Sequence, residues 1–185
     1  MPRRLLSATE RAEAEVVFGA GLDYTRVFVV ENTPLPNWIA DIGRSAKPNA
    51  ITLGNVSYFP ETLQTSAEII TGGNLRGITW LIHELTHQWQ YQHMGWRYLA
   101  AAVSVQLREG AQAYNYQREH PSREDALRAA RAAGRRLAGF NMEQQGDIAR
   151  DYFQAFVAAN RDENAPTLAP FQPFIADLKS GASRR

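Results

Sequence analysis

Apolar positions recur with the period of an α-helix over much of the chain. The longest such segment, 78–94, contains neither glycine nor proline, so it can form one continuous helix. Its apolar residues Ile78, Ile82, Leu85 and Trp89 are three or four positions apart, which predicts that one face is buried against a core. Similar patterns predict further helices over 7–20, 96–108, 122–138 and 141–159, with one final turn over 174–178.

Capping residues mark the starts of two of these helices. Ser7 is followed three positions later by Glu10, which predicts a capping box at the first helix. Ser122 stands in the same way before Asp125 and predicts an N-cap. Gly139 predicts the end of the helix that Ser122 begins.

Two segments before the long helix have the composition of β-strands. The segment 26–30 is β-branched and aromatic, and 51–59 is a second extended stretch with Gly54 inside it, which indicates a bulge or a close approach of another backbone segment. We expect this second segment to form an edge strand facing a peptide. Strands come first and helices follow, so the pattern predicts an α+β fold with a small, mostly antiparallel N-terminal sheet and a helical C-terminal half.

Size and charge narrow the class of protein. The chain has 185 residues, of which 44% are hydrophobic, and this predicts a single domain over 1–185 with a frayed tail at about 181–185. Lysine and arginine number 20 against 19 acidic residues. This balance gives no reason to expect a nucleic-acid or membrane partner.

The amino terminus and the cysteine content bear on the compartment. Charged residues follow Met1–Ser7 without an apolar stretch, so no cleaved signal peptide is expected. The chain has no cysteine, which excludes disulfides and thiolate metal ligands. Both features agree with a cytoplasmic protein or with one exported without a cleaved signal peptide.

The sequence His83-Glu84-Leu85-Thr86-His87 lies within the predicted long helix. Residues four apart on a helix are about 40° apart around its axis, so both imidazoles can bind one metal ion. Glu84 would then lie beside a metal-bound water and could act as general base. The alternative is that both histidines are hydrogen-bonded core residues and that Glu84 is solvated.

A catalytic zinc ion usually has three protein ligands, and three side chains compete for the third position. His93 has the metzincin spacing, but Gln90 stands where that motif has glycine, and on a continuous helix His93 lies about 280° round the axis from His83 and misses the ion. Glu109, 22 positions after His87, could return from the second helix.

Glu143 is the preferred third ligand. Glu143 and Asp147 are four residues apart and therefore share one helix face. Asp147 would accept the free ring N–H of a ligating histidine and fix its tautomer. The alternative is that both carboxylates form a solvated stripe at the start of a helix.

The motif His83–His87 followed by Glu143-Gln144-Gln145-Gly146-Asp147 resembles the gluzincin pattern of thermolysin-like peptidases. Together with Ala113–Tyr116 and the segment NMEQQGDIARDYF, it is similar to small bacterial metallopeptidases related to Vgr proteins or linked to contractile injection systems. The resemblance implies a minimal zincin fold, Zn²⁺ and hydrolysis of a peptide or protein substrate. By analogy, Tyr114 and Tyr116 are candidates to stabilise the oxyanion, although each could instead belong to the core.

Three functions agree with these observations, and one of them, a toxin or effector delivered into another cell, shares its chemistry with the first of the two that follow. The first is a zinc metallopeptidase in which Glu84 activates the zinc-bound water. The second is a non-catalytic interaction or adaptor protein of a bacterial secretion or injection system, built on the same scaffold. Glu84 discriminates between them, because a purely structural zinc site has no use for a carboxylate that does not bind the ion.

Overall fold

The computed structural model describes residues 2–33, 50–95, 115–117 and 119–182. The predicted helix over 96–108 and the candidates Glu109 and Tyr114 lie outside these ranges. Within them the strands are β1 (Phe28–Val30), β2 (Ile51–Leu53) and β3 (Val56–Tyr58). The helices are α1 (Ala8–Phe18), α2 (Ala67–Thr71), α3 (Arg76–Met94), α4 (Arg123–Ala132), α5 (Met142–Ala158) and α6 (Gln172–Lys179).

The three strands form one mixed sheet in the order β1-β3-β2. Strand β3 runs parallel to β1 and antiparallel to β2, with Val56 paired to Phe28 on one side and to Leu53 on the other. The predicted α+β class is confirmed. None of the described helices is long and apolar enough to cross a membrane.

The segment 51–59 is not one extended edge strand as predicted, and only its first half, β2, lies at an edge of the sheet that the described strands form. The segment is a hairpin, because Gly54 adopts a left-handed φ of 64° and reverses the chain between β2 and β3. Residues Val56–Tyr58 are therefore the central strand, paired on both sides, and cannot align a peptide by strand addition.

The capping predictions are confirmed. Ser7 and Glu10 form both bonds of a capping box, and the Ser122 hydroxyl accepts from the amide of Asp125. Helix α4 ends at Ala132, earlier than predicted, because Gly134 adopts a left-handed φ of 73° and closes the helix. A 3₁₀ turn, Leu137–Gly139, follows.

Helix α3 lies at the centre of the fold. It packs against α5, against α1 and against strands β2 and β3. The four residues predicted for its apolar face are all buried, namely Ile78, Ile82, Leu85 and Trp89. The Trp89 indole Nε1 donates to the Leu178 carbonyl at 3.0 Å and so anchors α6 to α3. The side of α3 that carries the histidines is thus held between the sheet and α5.

A buried acid far along the chain from the histidine motif holds the N-terminal segment. Glu10 is completely buried, and its carboxylate accepts from the Arg4 guanidinium at 2.6 Å and from Thr65 Oγ1 at 2.8 Å. The bonds to Arg4, Ser7 and Thr65 satisfy the carboxylate and offset its loss of hydration.

Candidate metal centre

Three predicted ligands meet between α3 and α5. His83 Nε2 lies 3.2 Å from Glu143 Oε2, and His87 Nε2 lies 3.5 Å from the same oxygen. One ligand atom from each residue lies within 4.8 Å of the other two. Both histidines are buried, and Glu143 is partly buried. The structure therefore brings together the side chains that the sequence predicts.

Local sequence explains why these side chains converge. Helix α3 runs without interruption through both histidines, so their rings lie on one face with centroids 5.1 Å apart. Helix α5 follows the N-cap residue Asn141, whose side chain forms a capping box with Gln144. This start places Glu143 in the first turn, opposite the histidines.

The second ring nitrogen of His83 faces Asp147. The His83 Nδ1 to Asp147 Oδ1 distance is 3.0 Å, and the same oxygen is 2.7 Å from Arg150 Nη1. A carboxylate oxygen beside Nδ1 favours the tautomer with the proton on Nδ1, which leaves Nε2 as a lone-pair donor. Asp147 therefore lies beside His83, one helical turn after Glu143, and its role as acceptor of the ring N–H stays a prediction.

The second ring nitrogen of His87 faces a residue that was not predicted to take part. His87 Nδ1 lies 2.9 Å from Gln90 Oε1. The sequence singles out Gln90 only as a departure from the metzincin pattern. Its position within one turn of His87 was the available signal, because residues three apart on a helix are neighbours.

The cluster has the electrostatics of a cation site. Burial lowers the pKa of His83, but the bonds to Asp147 and Glu143 outweigh it and raise this pKa to about 10. Burial also lowers the pKa of His87, and the charge of Glu143 outweighs it and raises that pKa. Burial acts to raise the pKa of Glu143, yet the two histidines hold it far below its usual value. The site thus favours positive charge between the three side chains.

The donor set agrees with zinc. Two imidazole nitrogens and one carboxylate oxygen are the ligands of a common class of catalytic zinc site. Without a cation, the Nε2 lone pairs and the Glu143 carboxylate would repel one another at 3.2 and 3.5 Å, unless the histidines hold protons. The residues present therefore fit a divalent ion.

Glu84, the predicted general base, is buried and held by the sheet. Its Oε2 accepts from Thr52 Oγ1 at 2.7 Å. Thr52 lies directly opposite Ser57 in the hairpin, with their hydroxyl oxygens 2.7 Å apart, and Gln88 Nε2 donates to Ser57 at 2.7 Å. A carboxylate only accepts, so these bonds run in one direction from Gln88 through Ser57 and Thr52 to Glu84.

The remaining candidates have other contacts. His93 Nε2 lies 2.7 Å from the Gly21 carbonyl oxygen, and its ring centroid is 4.7 Å from that of Trp89. This agrees with a continuous helix that carries His93 away from His83. Tyr116 is buried, and its hydroxyl donates to Asp151 at 2.7 Å. This contact favours the alternative that Tyr116 is a core residue, and its role in stabilising the oxyanion stays a prediction.

Comparison with known proteins shows that this α+β chain is similar to a component of a bacterial secretion system. No protein-family model matches the chain. The chain is 33% identical over 154 residues to the type VI secretion system spike protein VgrG2b of Pseudomonas aeruginosa, which corresponds to 81% of this chain and 13% of that protein. The solved effector domain of Pseudomonas aeruginosa VgrG2b is 30% identical, with a TM-score of 0.64, over 92% of this chain and 83% of that domain.

The chain therefore belongs to the family of the VgrG2b effector domain. It spans only about an eighth of the whole spike protein, since the match covers 13% of it. The expected relationship to Vgr proteins of bacterial secretion systems is confirmed.

Proposed function

We propose that the protein is a zinc-dependent metallopeptidase in which His83, His87 and Glu143 bind the ion and Glu84 acts as general base. The observation that carries this proposal is the convergence of both Nε2 atoms on Glu143 Oε2, at 3.2 and 3.5 Å. Glu84 lies between the two histidines in sequence, and its Oε2 accepts from Thr52. Three ligands and one carboxylate outside the ligand set are the arrangement that zinc hydrolysis needs.

The protein's own residues have defined tasks in this proposal. Zinc, when bound, polarises the scissile carbonyl and brings the pKa of a water toward about 7. Glu84 takes a proton from the water while the oxygen of that water bonds to the carbonyl carbon. Glu84 then passes a proton to the amide nitrogen as the C–N bond breaks. The Thr52 hydroxyl occupies Oε2 of Glu84, which leaves Oε1 to accept that proton.

The family relationship supports a setting for this activity. VgrG2b is a type VI secretion system spike protein, and the related solved structure is its effector domain. We propose that the present chain serves as an effector of a bacterial secretion system and acts on a peptide or protein substrate. Both a cytoplasmic location and export without a cleaved signal peptide agree with this role.

A second function is favoured by the same comparison. The relative is a spike protein, so the chain could be a non-catalytic interaction or adaptor part of a secretion assembly. In that case zinc would link α3 to α5 structurally, and Glu84 would bond to Thr52 without a catalytic role.

Peptide cleavage by the zinc-loaded protein distinguishes the metallopeptidase function from the adaptor function. We expect the wild-type protein to hydrolyse unfolded casein or a pooled peptide library in a reaction that a chelator stops. Glu84→Gln removes the base but none of the proposed ligands, so it should keep zinc and lose cleavage by at least about 100-fold. A zinc-loaded wild-type protein no more active than Glu84→Gln would favour the adaptor function.

A further inference from the structure

His87 is connected to helix α5 through the side chain of Gln90. His87 Nδ1 lies 2.9 Å from Gln90 Oε1, and Gln90 Nε2 donates to the Met142 carbonyl at 3.0 Å. The same nitrogen donates to Gln145 Oε1 at 3.0 Å, and Gln145 Nε2 donates to the Phe140 carbonyl at 2.9 Å. These contacts link the second histidine to the first turn of the helix that carries Glu143.

The backbone carbonyls at the ends of this hydrogen-bond network determine which group donates and which accepts in each bond. The carbonyl oxygens of Phe140 and Met142 can only accept, so the amide groups of Gln145 and Gln90 must turn their nitrogens toward them. Gln90 therefore presents its oxygen to His87, and that oxygen also only accepts. It follows that the neutral imidazole of His87, the form that binds a metal, carries its proton on Nδ1 and directs the Nε2 lone pair toward the proposed ion.

Burial makes the arrangement specific. Gln90 is completely buried and Gln145 nearly so. A buried amide that loses a hydrogen-bond partner is not compensated by water, so an amide or imidazole turned the wrong way is disfavoured. Asp147 favours the Nδ1–H tautomer of His83 through a carboxylate, whereas Gln90 favours that tautomer of His87 through a neutral amide.

We infer that Gln90 is a positioning residue of the proposed metal centre. It selects the Nδ1–H tautomer of His87 and aims Nε2 at the space shared with Glu143. Through Met142 and Gln145 it also fixes α3 relative to the start of α5. This inference rests on the proposed function, because it concerns the same metal site.

Substitution by leucine tests the inference without a substrate. Gln90→Leu keeps much of the side-chain volume but removes every bond of the amide, so zinc affinity should fall on the order of 10–100-fold. Gln88→Leu is the matched control. Gln88 lies on the same helix, is equally buried, and donates to Ser57 Oγ and the Phe28 carbonyl rather than to a proposed ligand. Affinity is measured by competition with a fluorescent zinc chelator, on variants whose circular dichroism and melting transitions show that they are folded.

The outcomes separate the inference from the proposed function. Zinc bound by Gln90→Leu as tightly as by wild type, or weakened equally in Gln88→Leu, would overturn the role of Gln90 and leave the metal centre standing. A wild-type protein that binds no zinc would overturn both. If Gln90→Leu does not fold, long-range ¹H–¹⁵N NMR of zinc-loaded wild type decides the matter. The inference expects a protonated Nδ1 and a metal-bound Nε2 on His87, and metal on Nδ1 would refute it.

Discussion

Gly146 lies against the face of the His83 imidazole. A Cβ atom at position 146 would lie 2.8 Å from both Cε1 and Nδ1 of that ring, closer than real contacts allow. Glycine inside a helix costs about 1 kcal/mol relative to alanine, so it needs a reason at this position. The reason is space, because the ring can approach α5 and reach Asp147 and Glu143 only where no side chain intervenes.

Gly146→Ala should therefore weaken zinc binding while favouring the helix. The methyl group must push the His83 ring away from Glu143, and we expect zinc affinity to fall by about 10-fold or more. Gly139→Ala is a matched control, because its Cβ would also lie 2.8 Å from a side-chain atom, but from the flexible Arg135. Chelator competition on both variants gives the comparison. Equal zinc affinity in Gly146→Ala and wild type would contradict this account of the glycine.

Asp147→Asn should also weaken the site. The amide keeps the shape of the carboxylate but loses the charge that stabilises the His83 Nδ1–H, and we expect a fall on the order of 10–100-fold in zinc affinity. Asp151→Asn serves as control, because Asp151 is similarly buried on the same helix and also contacts Arg150. Its bonds go to Tyr116 and Arg123 instead of a histidine. A zinc affinity lowered equally in both variants would indicate a general loss of packing.

Thr52→Val should lower turnover without lowering metal content. The substitution removes the hydroxyl that holds Oε2 of Glu84, so the carboxylate loses its fixed orientation. We expect kcat to fall on the order of 10-fold with KM and bound zinc unchanged, and Thr52→Ser to restore it.

Thr65→Val provides the matched comparison for that experiment. It removes the same kind of bond, from a buried threonine to the buried carboxylate of Glu10, outside the proposed site. Steady-state kinetics on the three variants decide whether the effect is local. A kcat lowered as much by Thr65→Val as by Thr52→Val would show that lost stability explains the result.

Zinc affinity should rise with pH. In the metal-free protein the pKa of His83 is raised from 6.5 to about 10, so protons occupy both ring nitrogens of His83 at neutral pH, and the pKa of His87 is raised in the same direction. Zinc must displace these protons, and its affinity therefore increases as pH rises from 6.5 toward about 10. Calorimetry in buffers with different ionisation enthalpies should register proton release at neutral pH. Binding without proton release would contradict the account.

The raised pKa of His83 also determines how the stability of the metal-free protein changes with pH. A raised pKa means that protonated His83 stabilises the folded state. That contribution is complete below pH 6.5 and disappears as pH rises through about 10. Loading with zinc should abolish this part of the pH dependence, because the ion takes the place of the protons.

Local sequence signals were sufficient for the parts of the site that lie on single helices. The uninterrupted segment 78–94 predicted α3, and the spacing of His83 and His87 predicted one shared face. The spacing of Glu143 and Asp147 did the same for α5. Periodicity within a helix is set by backbone geometry, so such predictions hold whenever the helix forms.

Contacts between elements could not be predicted in this way. Thr52 reaches Glu84 only because the hairpin places β2 beside α3, and a glycine inside an extended stretch by itself predicts a bulge as well as a turn. The Gly54-Asn55 pair, read together, is a two-residue hairpin signal. The link from Gln90 to Gln145 depends on how α3 packs against α5, which no local pattern specifies.

The most direct test of the central claim is the zinc content of the purified protein and its variants. We expect one equivalent of zinc in wild type, lost in His83→Ala and in Glu143→Ala because each removes a proposed ligand. Glu84→Gln and Glu109→Ala should keep the ion, since neither residue is assigned to it. A wild-type protein without zinc, or a Glu143→Ala variant that holds zinc as tightly as wild type, would contradict the proposed metal centre.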